Sequence, residues 1–247
     1  MAWILDLDGV LWLSDEPIAG SADAVARLRG RGERVLFVSN NSSACVDEYL
    51  AKLERVGVPV QSDDLVTSAQ AAATLVEPGE TALVCAGPGV DEALKARGVR
   101  TVRDGTADAV VVGWHRDFDY EGLTRAAKAI MAGARLVGTN DDATYPTPDG
   151  PIPGGGAILA AVATAAGVEP TIAGKPHAPM AQLVRARVGD DLAGSTVVGD
   201  RPSTDGLFAV ALGVPFALVL SGVTKEGDLP VEPEPTQVAA DLSSLVV

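Results

Sequence analysis

Near its start the chain reads Trp3-Ile4-Leu5-Asp6-Leu7-Asp8-Gly9-Val10-Leu11, and this stretch guides the interpretation of the whole sequence. The apolar run Trp3 to Leu5 is typical of a buried parallel strand. Asp6 and Asp8 are two positions apart, so both carboxylates point to one side of an extended chain. Gly9 then lets the backbone turn sharply out of the sheet. Because carboxylates are disfavoured in buried strands unless they are paired or bind a metal, the pair indicates a catalytic site with a divalent cation. The alternative is an ordinary strand-end turn rich in Asp and Gly.

Length and composition indicate a globular protein with either two domains or one domain that carries a large insertion. Of its 247 residues, 47% are hydrophobic and 21% are charged. The formal net charge of −14 opposes nonspecific binding of nucleic acid. We expect no membrane anchor and no signal peptide, because apolar stretches are short and no basic region precedes the first one. Cys45 and Cys85 are then free thiols of a cytoplasmic protein.

Strand and helix patterns alternate along the chain, which predicts an α/β fold with a doubly wound, Rossmann-like parallel sheet. Further strands of this sheet are predicted at 34–38, 196–198 and 216–220, and helices at 46–56 and about 204–212. An earlier helix is expected to begin with Ser21 as its N-cap.

The middle of the chain repeats the alternation, which predicts an inserted αβ unit. Its strands are predicted at 82–85, 109–112 and 135–137, and its helices near 89–97, 120–132 and 155–166. Pro78-Gly79 and the segment from Gly167 to Pro170 are plausible crossing points. We therefore expect a discontinuous catalytic core at 1–78 and 171–247, and an αβ cap at 79–170.

Four polar segments follow the predicted core strands or lie in loops beside them, and they meet if those strands are neighbours in one sheet. The segments are Asp6-x-Asp8, Ser39-Asn40-Asn41, Gly174-Lys175-Pro176 and Gly199-Asp200-Arg201-Pro202-Ser203-Thr204-Asp205. So many carboxylates would repel one another without a cation among them, and hard oxygen ligands suit Mg²⁺. A lysine with nearby hydroxyl and amide groups suits a phosphoryl group.

In this order, the four segments resemble the motifs of the haloacid dehalogenase-like hydrolases, and the long insertion resembles the αβ cap of their class II branch. The nearest resemblance is to the group of 4-nitrophenylphosphatase, phosphoglycolate phosphatase and pyridoxal phosphatase. In the cap, Gly138-Thr139-Asn140-x-Asp142-Ala143-Thr144-Tyr145-Pro146 resembles a segment of the same group. The resemblance covers essentially the whole chain. One departure is the stretch 12–16, which lacks a glycine that relatives often carry there.

The resemblance implies a Mg²⁺-dependent phosphomonoesterase. Asp6 would be the nucleophile that forms an aspartyl-phosphate. Asp8 would protonate the leaving alcohol and then activate water. Lys175 would neutralise charge on the nucleophile and on the phosphoryl group.

The same resemblance assigns the remaining site residues. Ser39, with Asn40 and Asn41, would hold a phosphoryl oxygen. Mg²⁺ would bind the Asp6 carboxylate, the Asp8 backbone carbonyl and Asp200. Asp205 would lie in the second shell of the metal, where it orients a metal-bound water or Lys175.

Several of these residues also have plain structural interpretations. Asp205 could cap a helix, and Asn40 and Asn41 could be turn residues. His115 is interpreted as a surface or packing residue, and His177 as part of a turn. Gly154-Gly155-Gly156 could cradle an anion, although close packing is the commoner reason for such a run.

The function keeps two alternatives at this stage. One is a phosphotransferase or mutase on the same fold, and the other is a phosphate-binding regulatory protein without turnover. The expected partner is a small phosphate ester whose leaving group the sequence does not identify, since specificity rests on cap loops. By similarity, a homodimer formed through the cap is also plausible.

Overall fold

The computed structural model describes residues 1–145, 147, 150–189 and 192–247. Pro146, the last residue of the cap segment quoted above, lies outside the described residues.

The strands and helices follow the predicted alternation. In chain order the strands are β1 (Ala2–Leu5), β2 (Trp12–Leu13), β3 (Glu16–Pro17), β4 (Arg34–Ser39), β5 (Leu65–Thr67), β6 (Thr81–Cys85), β7 (Arg100–Val102), β8 (Ala109–Val112), β9 (Arg135–Gly138), β10 (Thr144–Tyr145), β11 (Ile152–Pro153), β12 (Thr171–Ile172), β13 (Thr196–Gly199), β14 (Phe216–Val219) and β15 (Gln237–Ala239). The α-helices are α1 (Ser21–Gly30), α2 (Val46–Arg55), α3 (Ser68–Ala73), α4 (Pro88–Ala96), α5 (Tyr120–Met131), α6 (Gly155–Ala166), α7 (Ala178–Val188), α8 (Leu207–Leu212) and α9 (Leu242–Leu245).

The core sheet has six parallel strands in the order β15-β14-β13-β1-β4-β5. Side chains alternate between its two faces, as a period of two requires. Ile4 and Leu36 pack in one cluster with α3, α7 and α8, whereas Leu5 and Phe37 pack in the other with α1, α2 and α9. Helices therefore cover both faces, and the predicted doubly wound α/β fold is confirmed.

A second sheet has five parallel strands in the order β12-β9-β8-β6-β7. Helices α5 and α6 cover one face of it through Ile130 and Leu159. The opposite face contributes Val84 and Val111 to a cluster that also contains Ile4 and Leu36 of the core sheet. The two sheets thus share one apolar cluster.

The predicted domain division stays a prediction, but the strand pairing bears on its second boundary. Strand β12, at Thr171–Ile172, pairs with β9 of the second sheet through Thr171 opposite Val137. The second sheet therefore extends two residues past the boundary expected at 170. This short, half-exposed strand lacks the apolar run that would have signalled it.

Two local predictions need correction. Gly20, and not Ser21, is the N-cap of α1. Its φ of 77° lies in the left-handed region that favours glycine. The Ser21 hydroxyl instead donates to the carbonyl oxygen of Val10 at 3.0 Å. The helix expected at 204–212 begins as a π-helical turn, Pro202–Gly206, before α8.

Cys45 and Cys85 are both free thiols, as predicted. None of the helices within the described ranges has the length and apolarity needed to cross a membrane.

Candidate active site

The four predicted polar segments meet at the carboxyl ends of β1, β4 and β13. Asp6, Ser39, Lys175 and Asp200 all line one cavity of about 430 Å³. The parallel order of the core strands produces this convergence, because β1 lies between β4 and β13 and each strand ends on the same edge.

Lys175 is the cation at the centre of the site, and it is only 2% exposed. Its Nζ lies 2.8 Å from Asp6 Oδ1 and 2.7 Å from Asp205 Oδ1, and it also donates to the carbonyl oxygen of Val38 at 3.3 Å. Burial alone would lower the pKa of Lys175, but the carboxylates of Asp205 and Asp6 raise it above its usual value. Both carboxylates therefore favour the charged form of Lys175, and the contact at 2.8 Å positions the side chain of Asp6.

Asp200 lies against two glycines that leave no room for a side chain. A Cβ on Gly222 would fall 1.9 Å from Asp200 Oδ2, and a Cβ on Gly9 would fall 2.4 Å from the same atom. The backbone N–H of Val223 donates to Asp200 Oδ2 at 2.5 Å. The carboxylate is thus confined beside Asp6 by close backbone approach.

The carboxylates of Asp6, Asp200 and Asp205 bring ligand oxygens within 4.8 Å of one another, which fits a divalent cation. Asp205 already contacts Lys175 through Oδ1 and accepts the backbone N–H of Arg201 through Oδ2 at 3.1 Å. Both of its oxygens are engaged by the protein, so its contacts suit a residue that orients Lys175 rather than a direct ligand. The carboxylates of Asp6 and Asp200 remain as oxygen donors suited to Mg²⁺.

Burial disfavours the charged forms of these carboxyl groups. It raises the pKa of Asp6 well above the usual value, with Lys175 acting in the opposite direction. Burial and the neighbouring Asp205 raise the pKa of Asp200 to about 6. A bound cation would favour both charged forms, which agrees with a site built for a metal.

Asp8 differs from Asp6 because its partner is an indole. The Nε1–H of Trp12 donates to Asp8 Oδ1 at 3.0 Å. Burial raises the pKa of Asp8, and the charge of Lys52 and the Trp12 hydrogen bond offset part of this rise. A raised pKa favours the protonated form that a general acid requires.

The segment after β4 joins three parts of the chain. Ser39 is 1% exposed and its Oγ accepts the backbone N–H of Asn41 at 3.1 Å. The Asn40 side chain receives the backbone N–H of Lys175 at 2.7 Å and donates to Asp142 at 2.9 Å. Asn40 and Asn41 both line the cavity, but the Asn40 amide is committed to protein contacts that position Lys175.

The loop after β9 brings Asp142 into the core site. Arg201 Nη1 lies 3.2 Å from Asp142 Oδ1, and Thr204 Oγ1 lies 3.4 Å from the same oxygen. The Asn140 side chain donates to the backbone carbonyl of Asn40 at 2.7 Å. The second sheet is therefore tied to the core directly at the rim of the cavity.

Apart from the carboxylates of Asp6 and Asp200, the lining of the cavity includes several apolar and aromatic side chains. The rings of Trp114 and Tyr145 stack with centroids 4.9 Å apart and both line the cavity. Leu13 and Val223 lie on the wall and are 46% exposed. Glu16 adds one negative charge there.

Neither histidine contacts the carboxylates of Asp6, Asp8 or Asp200 in the described part of the chain. His177 Nε2 is 3.0 Å from Asp141 Oδ2, which makes a further contact between the core and the loop after β9. His115 Nδ1 is 3.0 Å from the carbonyl oxygen of Gly113, and this histidine lines a different cavity, next to Cys85.

The glycine run at 154–156 packs closely against the same loop. A Cβ on Gly154 would lie 2.4 Å from the carbonyl oxygen of Asp142, and one on Gly156 would lie 2.3 Å from that of Asp141. These approaches support the close-packing interpretation of the run.

Sequence reasoning missed the contacts of three residues. These are Trp12, Trp114 and Asp142, whose residue types and spacing assign them no role in the site. The spacing of four between Asp8 and Trp12 in a turn was a usable signal. The contact of Asp142 with Arg201 spans 59 positions and leaves no local pattern.

Comparison with known proteins gives matches to two related family models, one in each half of the chain. The family of haloacid dehalogenase-like hydrolases matches residues 3–100, and a HAD-hydrolase-like family matches residues 172–245. D-glycerol 3-phosphate phosphatase of Mycobacterium tuberculosis is 39% identical, over 98% of this chain and 70% of that protein.

Solved structures agree with the sequence matches. The p-nitrophenyl phosphatase of Archaeoglobus fulgidus superposes with a TM-score of 0.92 at 31% identity, covering 99% of this chain and 97% of that one. Glycerol phosphate phosphatase of Mycobacterium tuberculosis, solved in complex with magnesium, superposes with a TM-score of 0.90 at 38% identity, covering 99% of this chain and 76% of that one. With these matches and the site described above, the chain belongs to the haloacid dehalogenase-like hydrolases, within their class II phosphatases, which are phosphoric monoester hydrolases that use Mg²⁺.

Proposed function

We propose that the protein hydrolyses a small phosphate monoester through an aspartyl-phosphate on Asp6. The observation that carries this proposal is the contact of buried Lys175 with Asp6 at 2.8 Å, beside the confined carboxylate of Asp200. A carboxylate held by a single ammonium group at a cation site is suited to attack on phosphorus, because the negative charge of both reactants is offset there.

In the first step, an oxygen of Asp6 forms a bond to phosphorus while the bond from phosphorus to the ester oxygen breaks. Asp8 gives its proton to the departing oxygen, so the product is a neutral alcohol and Asp8 becomes a carboxylate. In the second step, Asp8 takes a proton from water as the water oxygen bonds to phosphorus. The bond between phosphorus and Asp6 breaks, which releases inorganic phosphate and restores both carboxyl groups.

Asp6, Asp200 and the backbone carbonyl of Asp8 would hold Mg²⁺, with Asp205 keeping Lys175 in place. When bound, the ion supplies positive charge that polarises a phosphoryl oxygen. Ser39 would donate to another phosphoryl oxygen, and its position in the lining of the same cavity at the end of β4 supports this role.

The volume of the cavity and the activity of a similar protein suggest which substrates to test first. About 430 Å³ suits a small ester. Because the Mycobacterium tuberculosis relative is a D-glycerol 3-phosphate phosphatase, glycerol 3-phosphate is the first ester to test. Phosphoglycolate, pyridoxal phosphate and sugar phosphates complete the panel.

The test measures phosphate release from this panel with Mg²⁺ in ¹⁸O-labelled water. We expect ¹⁸O in the released phosphate, and we expect Asp6→Asn to lose activity by about 10³-fold or more, as for loss of a nucleophile. Asp23→Asn, an exposed aspartate in the first turn of α1, is the matched control and should retain activity.

Activity that survives in Asp6→Asn would refute the mechanism. Transfer of phosphate to an added alcohol without ¹⁸O incorporation would identify a phosphotransferase instead. Binding of phosphate esters with no turnover of any ester in the panel would identify a binding protein.

A further inference from the structure

Trp12 contacts the proposed general acid from the protein side of the site. Its Nε1–H donates to Asp8 Oδ1 at 3.0 Å, and the indole is only 1% exposed. Asp8 lines the cavity in front of it. The carboxyl group of Asp8 therefore has one oxygen bound by buried protein.

The turn after β1 determines where this indole lies. The N–H of Leu11 donates to the carbonyl oxygen of Leu7 at 2.9 Å, and the N–H of Gly9 donates to that of Trp12 at 2.7 Å. This tight turn folds residue 12 back beside residue 8. Tyr49 and Leu53 of α2 belong to the same apolar cluster as Trp12, so the indole is packed from behind as well.

Lys52 of α2 covers the indole. Its Nζ lies 4.4 Å from the ring centroid, within the range of a cation–π contact. The same ammonium group is 3.3 Å from Asp15 Oδ1 and donates to the carbonyl oxygen of Ser14. Lys52 thereby joins α2 to both the indole and the segment that follows it.

An indole N–H can only donate, so the oxygen that it contacts must act as an acceptor. When Asp8 carries a proton, that proton is therefore favoured on Oδ2 rather than on Oδ1. Oδ2 is the oxygen left for the leaving group and for water.

We propose that Trp12 is a positioning residue that holds Asp8 Oδ1 and so presents the protonated Oδ2 to the departing ester oxygen, with Lys52 clamping the indole. This inference rests on the proposed function, since it assumes that Asp8 is the general acid. It assigns Trp12 a role in catalysis beyond packing.

Loss of the indole N–H should lower kcat/KM more for some phosphate esters than for others. Phenolate is a basic leaving group that needs a proton as it departs, whereas 4-nitrophenolate is a stable anion that needs little help. Loss of proton donation should therefore slow phenyl phosphate much more than 4-nitrophenyl phosphate. A general defect in folding or phosphate binding should slow both equally.

The experiment compares kcat/KM for phenyl phosphate and 4-nitrophenyl phosphate in the full-length protein with Mg²⁺. Trp12→Phe removes the N–H donor and keeps an aromatic ring. We expect it to lose about tenfold or more on phenyl phosphate and less than about threefold on 4-nitrophenyl phosphate, a part of the 10²–10⁴-fold that general acid catalysis contributes.

Two further variants calibrate this result. Asp8→Asn should show the same preference more strongly, because it removes the acid itself. Trp3→Phe is the matched control, since Trp3 also donates its indole N–H to a carboxylate, that of Glu33, outside the cavity. It should leave both rate constants unchanged.

Lys52→Met provides a second route if Trp12→Phe does not fold, as judged by its melting temperature. It removes the ammonium group above the ring, and it also removes a charge that lowers the pKa of Asp8. The second change favours the protonated acid, so a selective loss on phenyl phosphate would come from the indole and support its role.

The outcomes separate this inference from the function on which it rests. If Asp8→Asn is selective for the basic leaving group and folded Trp12→Phe is not, the role of Trp12 is refuted and the proposed function stands. If Asp8→Asn shows no selectivity, the acid assignment fails, and the role of Trp12 fails with it. Equal losses on both esters in the folded Trp12 and Lys52 variants would also overturn the inference.

Discussion

Asp142 Oδ1 and Arg201 Nη1 lie 3.2 Å apart and form an ion pair between the loop after β9 of the second sheet and the loop after β13 of the core sheet. Asn40 donates to the other oxygen of Asp142 at 2.9 Å. The side chain of Asp142 thus contacts the segments after both β4 and β13.

The first prediction concerns this ion pair. Asp142→Asn keeps the shape of the side chain but removes its charge, so it should loosen the loop over the cavity. We expect KM for the best ester to rise about tenfold, which corresponds to loss of one charge-assisted hydrogen bond. Hydrogen exchange at residues 139–145 should become faster. Asp104→Asn, at an exposed turn, is the control, and an unchanged KM with unchanged exchange would contradict the prediction.

A second prediction tests the confinement of Asp200. Gly222→Ala places a Cβ where it would fall 1.9 Å from Asp200 Oδ2, so the carboxylate must move. Activity should fall by about 100-fold or more, as misplacement of a catalytic group by about 1 Å can cause, and Mg²⁺ should bind more weakly. Gly227→Ala has no heavy atom within 4 Å of its added Cβ and should behave as the unmodified protein does. Equal activity of the two variants would show that Asp200 is not confined in this way.

Lys175 is the subject of the third prediction. Lys175→Met leaves Asp6 and Asp205 buried without their shared cation. Breaking a buried ion pair on one side costs about 3–5 kcal/mol, so the free energy of unfolding in urea should drop by about 3 kcal/mol or more and activity should be lost. Lys128→Met, an exposed lysine of α5, should change neither. A stable, active Lys175→Met protein would remove the central cation from the mechanism.

The fourth prediction links Mg²⁺ binding to pH. The pKa of Asp200 is raised to about 6 in the folded chain, above the value of about 3.9 in an unfolded chain. Without metal, the folded state therefore binds more protons, and its free energy of unfolding should rise as the pH falls through about 6. Mg²⁺ requires the deprotonated carboxylate, so its effect has the opposite sign.

The measurement is the rise in melting temperature on adding Mg²⁺, at about pH 8 and at about pH 5. Saturation at about 100 times Kd stabilises the folded state by about 2.7 kcal/mol, so we expect a rise of about 5 °C or more at the higher pH and a much smaller one at the lower pH. Asp200→Asn should lose most of the rise at both. An equal rise at the two pH values would contradict the assignment of Asp200 as a ligand.

A fifth prediction follows from the segment without the glycine that relatives often carry. Ser14 has a φ of 54°, in the left-handed region that favours glycine. Ser14→Gly should therefore raise the free energy of unfolding by about 1 kcal/mol. Ser62→Gly, at an exposed residue whose φ is not positive, should be neutral or destabilising. Destabilisation by Ser14→Gly would mean that contacts of the serine outweigh the backbone strain.

Much of the fold is predictable because parallel strands buried on both faces are short runs of branched apolar residues. The runs at β1, β4, β8 and β13 are of this kind. Strands β12 and β15 are half-exposed and carry no such run, so their pairing partners do not appear in the local pattern.

By itself, the sequence determined which polar residues meet at one edge of the core sheet, because residues directly after strands of one parallel sheet must share its carboxyl edge. Asp6, Ser39 and Asp200 follow this rule, and the position of Lys175 follows from the resemblance of its motif. Only the tertiary structure decided which groups hold these residues. The indole of Trp12 on Asp8 depends on the hydrogen bonds of a turn, and the carboxylate of Asp142 on Arg201 depends on the packing of two sheets. The second of these contacts joins residues 59 positions apart, and residue type and local spacing do not encode such a distance.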